Sequence, residues 1–431
     1  MLYQEQEIDP SLLSFERFYR FKQQATQLAV LAIYGKPLGK MPPKFQLSLG
    51  DDFGEAPGSL LAMAKQSGLS LDVPCDDNME DSLKVTPDGT LQMLSQSRSE
   101  YNINKDGLQK AASPAGFGPG TPTEESPLYF NCRQDDIKVI GKLGSGASAN
   151  VKKAIHLPTR TLCALKTISV VQKESRDQLQ TEIRTLCNLG QHEGLVKFYG
   201  AFFTADSGEV CLALEYMNAG SLDDFTKKLP GNRIPEKVLS LVSGKLLAGL
   251  GFLHSKHLVH RDIKPANMLL DLHGQPKFAD FGISSSLGST TEMCETNIGT
   301  FYYMSPERME NAPYSFAADI WSLGISLIEL AMGKYPYETN KGLVDTILEV
   351  TNGDPPVPPE GEFSQEFRHF LSLCLIKEPA QRANVQALIS HPFITQCRGF
   401  EHELSAFVRS VIPDVDSRII QENETIDMEM C

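Results

Sequence analysis

The spacing of apolar residues changes along the chain and divides it into four segments. Residues 1–34 carry apolar positions that favour one helix. Residues 35–136 are rich in Pro, Gly, Ser and acidic residues, which predicts a mostly disordered regulatory or docking arm. Residues 137–394 alternate between strand and helix periods and predict one globular domain. Residues 395–431 predict a C-terminal tail with one short amphipathic helix.

Within the globular segment, the strand period dominates the first third and the helical period dominates the rest. Predicted strands lie at 138–143, 151–157, 161–169, 196–203 and 210–217. A helix is predicted at 175–189, and an apolar stripe from Val238 to Leu253 begins the helical region. A small β-rich lobe followed by a larger α-helical lobe is an α+β arrangement, here preceded by a largely irregular N-terminal arm.

Composition and charge exclude several classes of function. The net charge is −14, whereas binding to nucleic acid requires clustered Lys and Arg against phosphates. No segment approaches the roughly 18 consecutive apolar residues that a membrane span needs, so we expect no membrane insertion. The nine cysteines include no Cys-x-x-Cys pair and no zinc-ligand spacing. Because reduced thiols are typical of the cytosol, we expect a cytoplasmic protein, with entry into the nucleus left open.

Three features of the strand-rich part are suited to binding phosphate groups. The run from Gly144 to Val151 contains Gly-Ser-Gly between two predicted strands, where small residues let backbone N–H groups approach phosphates. Alone, this pattern is more often an ordinary hairpin turn. Lys166 ends the apolar run Cys163-Ala164-Leu165 and can place a cation against phosphate oxygens. Glu182, on the next predicted helix, can hold Lys166 by an ion pair.

The strongest chemical signal is the run His260-Arg261-Asp262-Ile263-Lys264-Pro265-Ala266-Asn267, which follows the long apolar helix. Asp262 can accept or orient the proton of a substrate hydroxyl, and Asn267 can bind a magnesium ion. Asp280-Phe281-Gly282 begins thirteen residues beyond Asn267, and Asp280 can hold the metal that bridges the phosphates. The two motifs in this order predict phosphoryl transfer to a hydroxyl group.

With these motifs, the sequence resembles the eukaryotic protein kinases over residues 137–394, about 60% of the chain. Ser305-Pro306-Glu307, Asp319-Ile320-Trp321-Ser322-Leu323-Gly324 and Arg382 fit the same family. The resemblance implies the two-lobed kinase fold and the use of ATP and Mg²⁺. It also implies a buried ion pair between Glu307 and Arg382, and removing one partner of such a pair costs on the order of 3–5 kcal/mol.

The resemblance assigns a role to each candidate site residue. The catalytic set is Asp262, Lys264, Lys166 and Glu182, and the metal-binding set is Asn267 and Asp280. The nucleotide-binding set is Leu143, Gly144, Ser145, Gly146, Val151, Ala164, Lys166, Leu214, Glu215 and Met217. In this set the backbone of the linker after Leu214 hydrogen-bonds the purine. The sequence departs from the family at Ala149, which takes the place of a third glycine.

A finer resemblance is to the MAP kinase kinases. It is carried by Gly299–Arg308, by Gly220-Ser221-Leu222 and by His391-Pro392-Phe393. The resemblance implies dual specificity for the Thr and the Tyr of the Thr-x-Tyr activation loop of a MAP kinase, which is the downstream partner. It also implies activation by an upstream MAP kinase kinase kinase, which phosphorylates the activation segment.

The activation segment is similar to that of the plant enzymes. Thr296 lies three residues before Gly299, and Thr290 lies six residues before Thr296. This Thr-x5-Thr spacing predicts phosphorylation of Thr290 and Thr296, with Ser289 and Thr291 as close alternatives. Each phosphate adds roughly −1.5 to −2 charge and can recruit Arg261 to order the loop.

Two further stretches, Ile140–Ser148 and Leu214–Asn218, resemble the plant group B MAP kinase kinases, as does Gly107-Leu108-Gln109-Lys110. Those relatives commonly carry a nuclear-transport-factor-2-like domain after the kinase. Because this chain stops at Cys431, we expect that module to be missing or truncated.

The N-terminal arm contains one candidate docking segment for a MAP kinase. Lys40 and Lys44 form a small basic cluster, and Leu47 and Leu49 follow it as a Leu-x-Leu pair. Cations can meet an acidic patch on the substrate while the two leucines fill apolar pockets. Short basic and apolar strings also arise by chance, so this assignment stays open.

Two other functions compete with this assignment. The first is a pseudokinase scaffold, which keeps the fold without phosphoryl transfer. The second is a different Ser/Thr kinase of the same broad group. Every catalytic position carries the residue type that the family requires, which favours an active enzyme over the scaffold.

Overall fold

The computed structural model describes residues 83–95, 98–111, 132–145, 150–170, 173–280, 301–310, 312–338, 342–412 and 415–430. The predicted N-terminal helix and the arm up to residue 82 lie outside these ranges.

A twisted antiparallel sheet of five strands, in the order β5-β6-β7-β9-β8, forms the N-lobe. The strands are β5 (Ile137–Ser145), β6 (Asn150–His156), β7 (Thr161–Ser169), β8 (Phe198–Thr204) and β9 (Glu209–Glu215). Helix α1 (Lys173–Leu189) is inserted between β7 and β8. Its apolar positions Leu179, Ile183 and Leu186 are buried, because they recur at the spacing of one helix face.

A second sheet of four strands precedes the N-lobe, at a place where the sequence predicted a mostly disordered arm. The strands are β1 (Leu83–Val85), β2 (Leu91–Ser95), β3 (Arg98–Asn104) and β4 (Gly107–Lys110), paired antiparallel in chain order. Turns at Asp88-Gly89 and Asp106-Gly107 connect two of the pairs, and both glycines have positive φ. Alternate residues of β2 and β3 are buried, and this gives the sheet an apolar face.

The C-lobe is helical. Its helices are α2 (Leu222–Thr226), α3 (Glu236–Ser255), α4 (Pro306–Met309), α5 (Phe316–Met332), α6 (Leu343–Asn352), α7 (Gln365–Cys374), α8 (Val385–Ile389) and α9 (Pro392–Thr395). A small sheet of β10 (Gly220–Ser221), β11 (Met268–Leu270) and β12 (Pro276–Phe278) lies at its junction with the N-lobe.

Helix α3 is the central helix of the C-lobe core. By length and composition it could cross a membrane, but 61% of its most apolar 18-residue window is buried inside the protein. Gly249 in this helix meets Gly194, which lies between α1 and β8. A Cβ added to either glycine would come within 2.7 Å of the other's backbone. This close approach fixes the start of β8 against the C-lobe.

The predicted ion pair between Glu307 and Arg382 is present. Arg382 forms two parallel bonds to the carboxylate, Nη1 to Oε1 at 2.7 Å and Nη2 to Oε2 at 2.9 Å. Its guanidinium side chain is fully buried and also donates to the carbonyl of Ala317 at 2.7 Å. The pair joins α4 to the segment before α8 within the C-lobe.

The C-terminal tail contains two helices where the sequence predicted one. Helix α10 (His402–Val411) packs on the C-lobe, with Leu404 and Val408 buried. Helix α11 (Val415–Met430) reaches the N-lobe, where Glu422 accepts hydrogen bonds from Lys153 in β6 at 2.9 Å and from Asn218 at 3.0 Å. The sequence prediction missed this second helix because its contacts with the rest of the protein include polar ones. Its apolar residues therefore show no clear helical period.

Candidate active site

Lys166 in β7 is held by two carboxylates from distant parts of the chain. Its Nζ lies 2.9 Å from Oε1 of Glu182 in α1 and 2.8 Å from Oδ1 of Asp280, two residues after β12. The side chains of Lys166 and Glu182 are 11% and 4% exposed, whereas that of Asp280 is 39% exposed. The structure therefore confirms the predicted ion pair and adds Asp280 to it.

Lys166 and Asp280 stabilise each other's charged form, whereas burial raises the pKa of Glu182 above its ordinary value. Burial alone would lower the pKa of Lys166, but Asp280 and Glu182 outweigh burial and raise it above its ordinary value. Desolvation alone would raise the pKa of Asp280, yet Lys166 lowers it overall. At neutral pH the site therefore holds a fixed cation beside an accessible carboxylate, which is what a phosphate–metal complex requires.

Asp262 lies in the loop between α3 and β11, and its carboxylate is held from two sides. Asn267 donates from Nδ2 to Oδ2 of Asp262 at 2.7 Å and to its backbone oxygen at 2.8 Å. Nζ of Lys264 lies 2.9 Å from the other carboxylate oxygen. Because the amide nitrogen of Asn267 makes both bonds, its amide oxygen is the atom that can bind a metal ion.

The N-lobe sheet brings together the strand residues predicted to bind nucleotide. Cross-strand pairing places Val151 opposite Lys166 and Ala164 opposite Leu214. A Cβ added to Gly144 would meet no atom within 4 Å, so β5 borders open space there. Leu143 precedes this glycine and is 43% exposed, and Ser145 ends the strand.

The segment after β9 supplies a small apolar cluster beside these strands. Met217 is buried together with Val196 and Ala279, and Leu214 and Leu269 pack against them. The sequence prediction included Leu214 and Met217 but missed Val196 and Leu269. Leu269 could have been found from its place in the short apolar strand after Asn267, whereas Val196 carries no local signal.

Glu215 uses its side chain for structure. Both carboxylate oxygens lie 2.8 Å from Nζ of Lys277, and one accepts from the backbone N–H of Lys197 at 3.1 Å. Its backbone N–H also donates to the carbonyl of Lys197 at 2.9 Å. The side chain of Glu215 is therefore not available to a ligand, and the role of the linker in binding the purine stays a prediction.

These residues fit Mg²⁺ and ATP. Magnesium prefers oxygen ligands and keeps several waters or phosphates, so it needs only one or two protein groups. Asp280 and Asn267 offer such oxygens, and within the described ranges no three His, Cys, Asp or Glu side chains cluster to hold a metal by themselves. The cation of Lys166 and the open backbone at Gly144 suit a polyphosphate.

Comparison with known proteins gives the family. The protein kinase domain family matches residues 137–394. Mitogen-activated protein kinase kinase 1 of Arabidopsis thaliana is 36% identical over 318 residues, which cover 72% of this chain and 87% of the relative. The chain belongs to the mitogen-activated protein kinase kinases.

Two other relatives carry names of the same kind. Mitogen-activated protein kinase kinase 3 of Arabidopsis thaliana is 47% identical over 347 residues, which cover 80% of this chain but only 65% of the relative. This chain therefore matches slightly less than two thirds of that protein. The dual specificity mitogen-activated protein kinase kinase dSOR1 of Drosophila melanogaster is 35% identical over 64% of this chain and 74% of its own length.

Several predicted functional residues of this kinase kinase lie outside the described residues, and their roles stay predictions. They are Gly146 of the glycine-rich turn, the phosphorylation sites Thr290 and Thr296, and the docking residues Lys40, Lys44, Leu47 and Leu49.

Asp319 in α5 has a positioning role that the sequence prediction missed. Its carboxylate is 1% exposed and accepts from the backbone N–H of His260 at 2.8 Å and of Arg261 at 2.9 Å. It also lies 2.9 Å from Nε2 of His254 in α3. The Asp-x-Trp motif was recognised, but only the fold shows that its carboxylate anchors the loop that carries Asp262.

Burial beside this loop keeps His260 neutral. Desolvation lowers the pKa of His260 below its ordinary value despite the nearby carboxylates of Asp319 and Asp262. Its ring packs edge-on against Phe278 of β12, with the ring centroids 5.0 Å apart. His260 is therefore a packing residue that ties the catalytic loop to the strand preceding Asp280.

Replacing Asp319 with Asn tests this anchor. An amide offers one acceptor oxygen and turns two N–H donors toward the backbone donors, so the loop should lose one or two charge-assisted hydrogen bonds. We expect kcat to fall by about 10- to 100-fold, because each such bond is worth about 1.5–3 kcal/mol.

The measurement is steady-state protein phosphorylation, with melting temperature recorded in parallel. Asp345→Asn, at an exposed position in α6, is the matched control and should leave kcat unchanged. A wild-type kcat in Asp319→Asn would show that the loop holds its geometry without the carboxylate.

Proposed function

We propose that this chain is an ATP- and Mg²⁺-dependent dual-specificity kinase that phosphorylates the Thr and the Tyr of the Thr-x-Tyr activation loop of a MAP kinase. The proposal rests on two groups of side chains in the site between the lobes. In the first, Lys166 is paired with Glu182 and Asp280. In the second, Asn267 holds the carboxylate of Asp262. Relatives that carry this activity in their names support the choice of substrate.

When bound, Mg²⁺–ATP supplies the transferable phosphoryl group, and the metal neutralises its charge. Lys166 binds phosphate oxygens as a cation that its two carboxylate partners keep protonated. Glu182 orients Lys166 from the buried side, and Asp280 and Asn267 hold the metal. These residues do no covalent chemistry; they fix charge and position.

Asp262 acts on the protein substrate. Its carboxylate is oriented by Asn267 and Lys264, so one oxygen can accept the hydrogen bond of the substrate hydroxyl and align it for attack. Lys264 would supply a cation for the transferred phosphoryl group, since its Nζ lies 2.9 Å from the carboxylate of Asp262. Met217 and Val196 would hold the nucleotide base by apolar contact, and the backbone after Leu214 would hydrogen-bond it.

The decisive experiment uses a catalytically inactive MAP kinase bearing Thr-x-Tyr as substrate. We expect phosphate on both residues of the loop with ATP and Mg²⁺, and none with Asp262→Ala, because that variant lacks the group that aligns the hydroxyl. Phosphopeptide mass spectrometry of the loop measures both sites at once.

The other outcomes separate the competing functions. Phosphorylation of generic proteins without the Thr-x-Tyr loop would keep the kinase and exclude the MAP kinase substrate. Absence of any transfer, even from a form with Glu at positions 290 and 296, would indicate a pseudokinase scaffold.

We infer that an upstream MAP kinase kinase kinase activates the chain by phosphorylating Thr290 and Thr296. The placement of Arg261 in the catalytic loop supports this activation. Its backbone N–H donates to the carboxylate of Asp319, and this bond helps to hold its φ of 72°. A guanidinium in that position can pair with a phosphate on the segment that follows Asp280.

Replacing Thr290 and Thr296 together with Ala should abolish activation by the upstream kinase, because no phosphate is then available to pair with Arg261. The readout is the rate of MAP kinase phosphorylation before and after treatment with that kinase. Ser289→Ala with Thr291→Ala is the matched control and should be activated normally. Full activation of the Thr290/Thr296 variant would refute the assignment.

We also propose that Lys40, Lys44, Leu47 and Leu49 dock the MAP kinase. Replacing all four with Ala should raise KM for the MAP kinase severalfold, with little change in kcat, because docking supplies binding far from the reacting atoms. Initial rates at varied MAP kinase concentration measure the two constants. Replacing Leu60, Leu61 and Lys65 of the same arm with Ala is the control, and an unchanged KM in the first variant would reject the docking role.

A further inference from the structure

The four-stranded sheet contains an irregularity next to helix α1. In the β2–β3 ladder Met93 pairs with Tyr101, but Leu94 pairs with Ser99, so Glu100 has no opposite residue on β2. This is a β-bulge, and bulges change the direction of the side chain that they carry. Glu100 is the extra residue, and Leu94 is the first residue beyond the shift.

Both residues of the bulge contact α1. Oε2 of Glu100 lies 2.7 Å from Nε of Arg184. The backbone oxygen of Leu94 accepts from Nη2 of Arg184 at 3.0 Å and from Nε2 of Gln180, also at 3.0 Å. Arg184 and Glu100 are 34% and 29% exposed, so the ion pair is partly shielded from water. The sheet thus binds the helix by directional contacts at one place.

The sheet and the helix also share the main apolar core of the domain. That core includes Leu91, Met93, Tyr101 and Ile103 of the sheet and Leu179, Ile183 and Leu186 of α1, together with residues of β8 and of the C-lobe. The hydroxyl of Tyr101 also donates to Oδ1 of Asn188 near the end of the helix, at 3.3 Å. The sheet therefore contacts the helix from its middle to its C-terminus.

Glu182 lies on the face of α1 opposite to the face that the sheet contacts. Gln180 and Arg184 are four residues apart and share one face, whereas Glu182 is two residues from each and lies about 200° around the helix. The sheet holds one face of α1 while Lys166 is bound at the other. A rotation of α1 that separated Glu182 from Lys166 would break the contacts of Arg184 with the sheet.

We propose that Glu100 and Arg184 are positioning residues for phosphoryl transfer, because they fix the rotation of α1 at which Glu182 reaches Lys166. The proposal rests on the kinase activity proposed above but is independent of the identity of the substrate.

Arg184→Ala and Glu100→Ala in the full chain test the proposal. We expect kcat/KM for ATP to fall by about three- to tenfold in each variant, with a higher KM for ATP, because Lys166 is then less often in place. Arg184→Lys keeps the charge and should recover part of the loss. Melting temperature is measured alongside, and Lys84→Ala, an exposed charge on β1 of the same sheet, should behave as wild type.

A double variant distinguishes positioning from general destabilisation. With Glu182→Gln already present, the ion pair to Lys166 is broken, so adding Arg184→Ala should cause little further loss. A merely structural residue would lower activity by the same factor in both backgrounds. Wild-type kinetic constants in Arg184→Ala and Glu100→Ala, or fully additive losses with Glu182→Gln, would overturn the proposal.

Hydrogen exchange of the α1 amides gives a readout that does not need activity. Exchange across 173–189 should be faster in Arg184→Ala and Glu100→Ala than in wild type and in Lys84→Ala. If wild type transfers no phosphate, the proposed function fails, yet this measurement still decides whether the sheet holds the helix. Unchanged exchange in both variants would show that it does not.

Discussion

The shared ion pairing of Lys166 is the interaction on which the rest of the site depends. A buried ammonium is unfavourable unless charged partners compensate it, and here the two partners come from α1 and from the segment after β12. The compensation of the Lys166 charge is therefore complete only when three elements far apart in sequence meet within about 3 Å. The five-stranded sheet, the helix and the end of the small C-lobe sheet are aligned by this requirement.

In the C-lobe, a buried carboxylate that accepts hydrogen bonds fixes the catalytic loop. Asp319 accepts the two backbone N–H groups that begin the catalytic loop, and the side chain of Asn267 closes its other end on Asp262. A loop with both ends fixed can keep Arg261 at a φ of 72°, a conformation that costs free energy elsewhere. Electrostatic preorganisation thus comes from fixed backbone groups as much as from the reacting side chains.

The sequence predicts most of the kinase domain because its signals there are local and agree with one another. Strands β5 to β9 and helix α1 begin and end within a few residues of their predicted bounds, since each combines a clear apolar period with turn residues. The catalytic residues follow from motifs with fixed spacing. Asp319 and Val196 could not be assigned in this way, because their roles exist only after distant segments have packed.

The four-stranded sheet was missed for a different physical reason. Its strands are short and separated by Pro, Gly and acidic residues, and composition outweighed the Asp-Gly turns at 88–89 and 106–107. Only four of its apolar side chains are fully buried, and they join the main core of the domain, which also contains β8 and α1. Such a segment gains its stability from the domain that it packs against. The apolar pattern of its own sequence is therefore a weak signal for strands.

Helix α11 changes how the two lobes can move. The covalent linker after β9 joins them, and the close approach of Gly194 to Gly249 joins them at another place. Glu422 adds a further connection beside the linker, because it bonds both Lys153 of the N-lobe and Asn218 at the end of the linker. This contact resists a twist of the N-lobe about the linker, because such a twist would pull Lys153 away from Glu422.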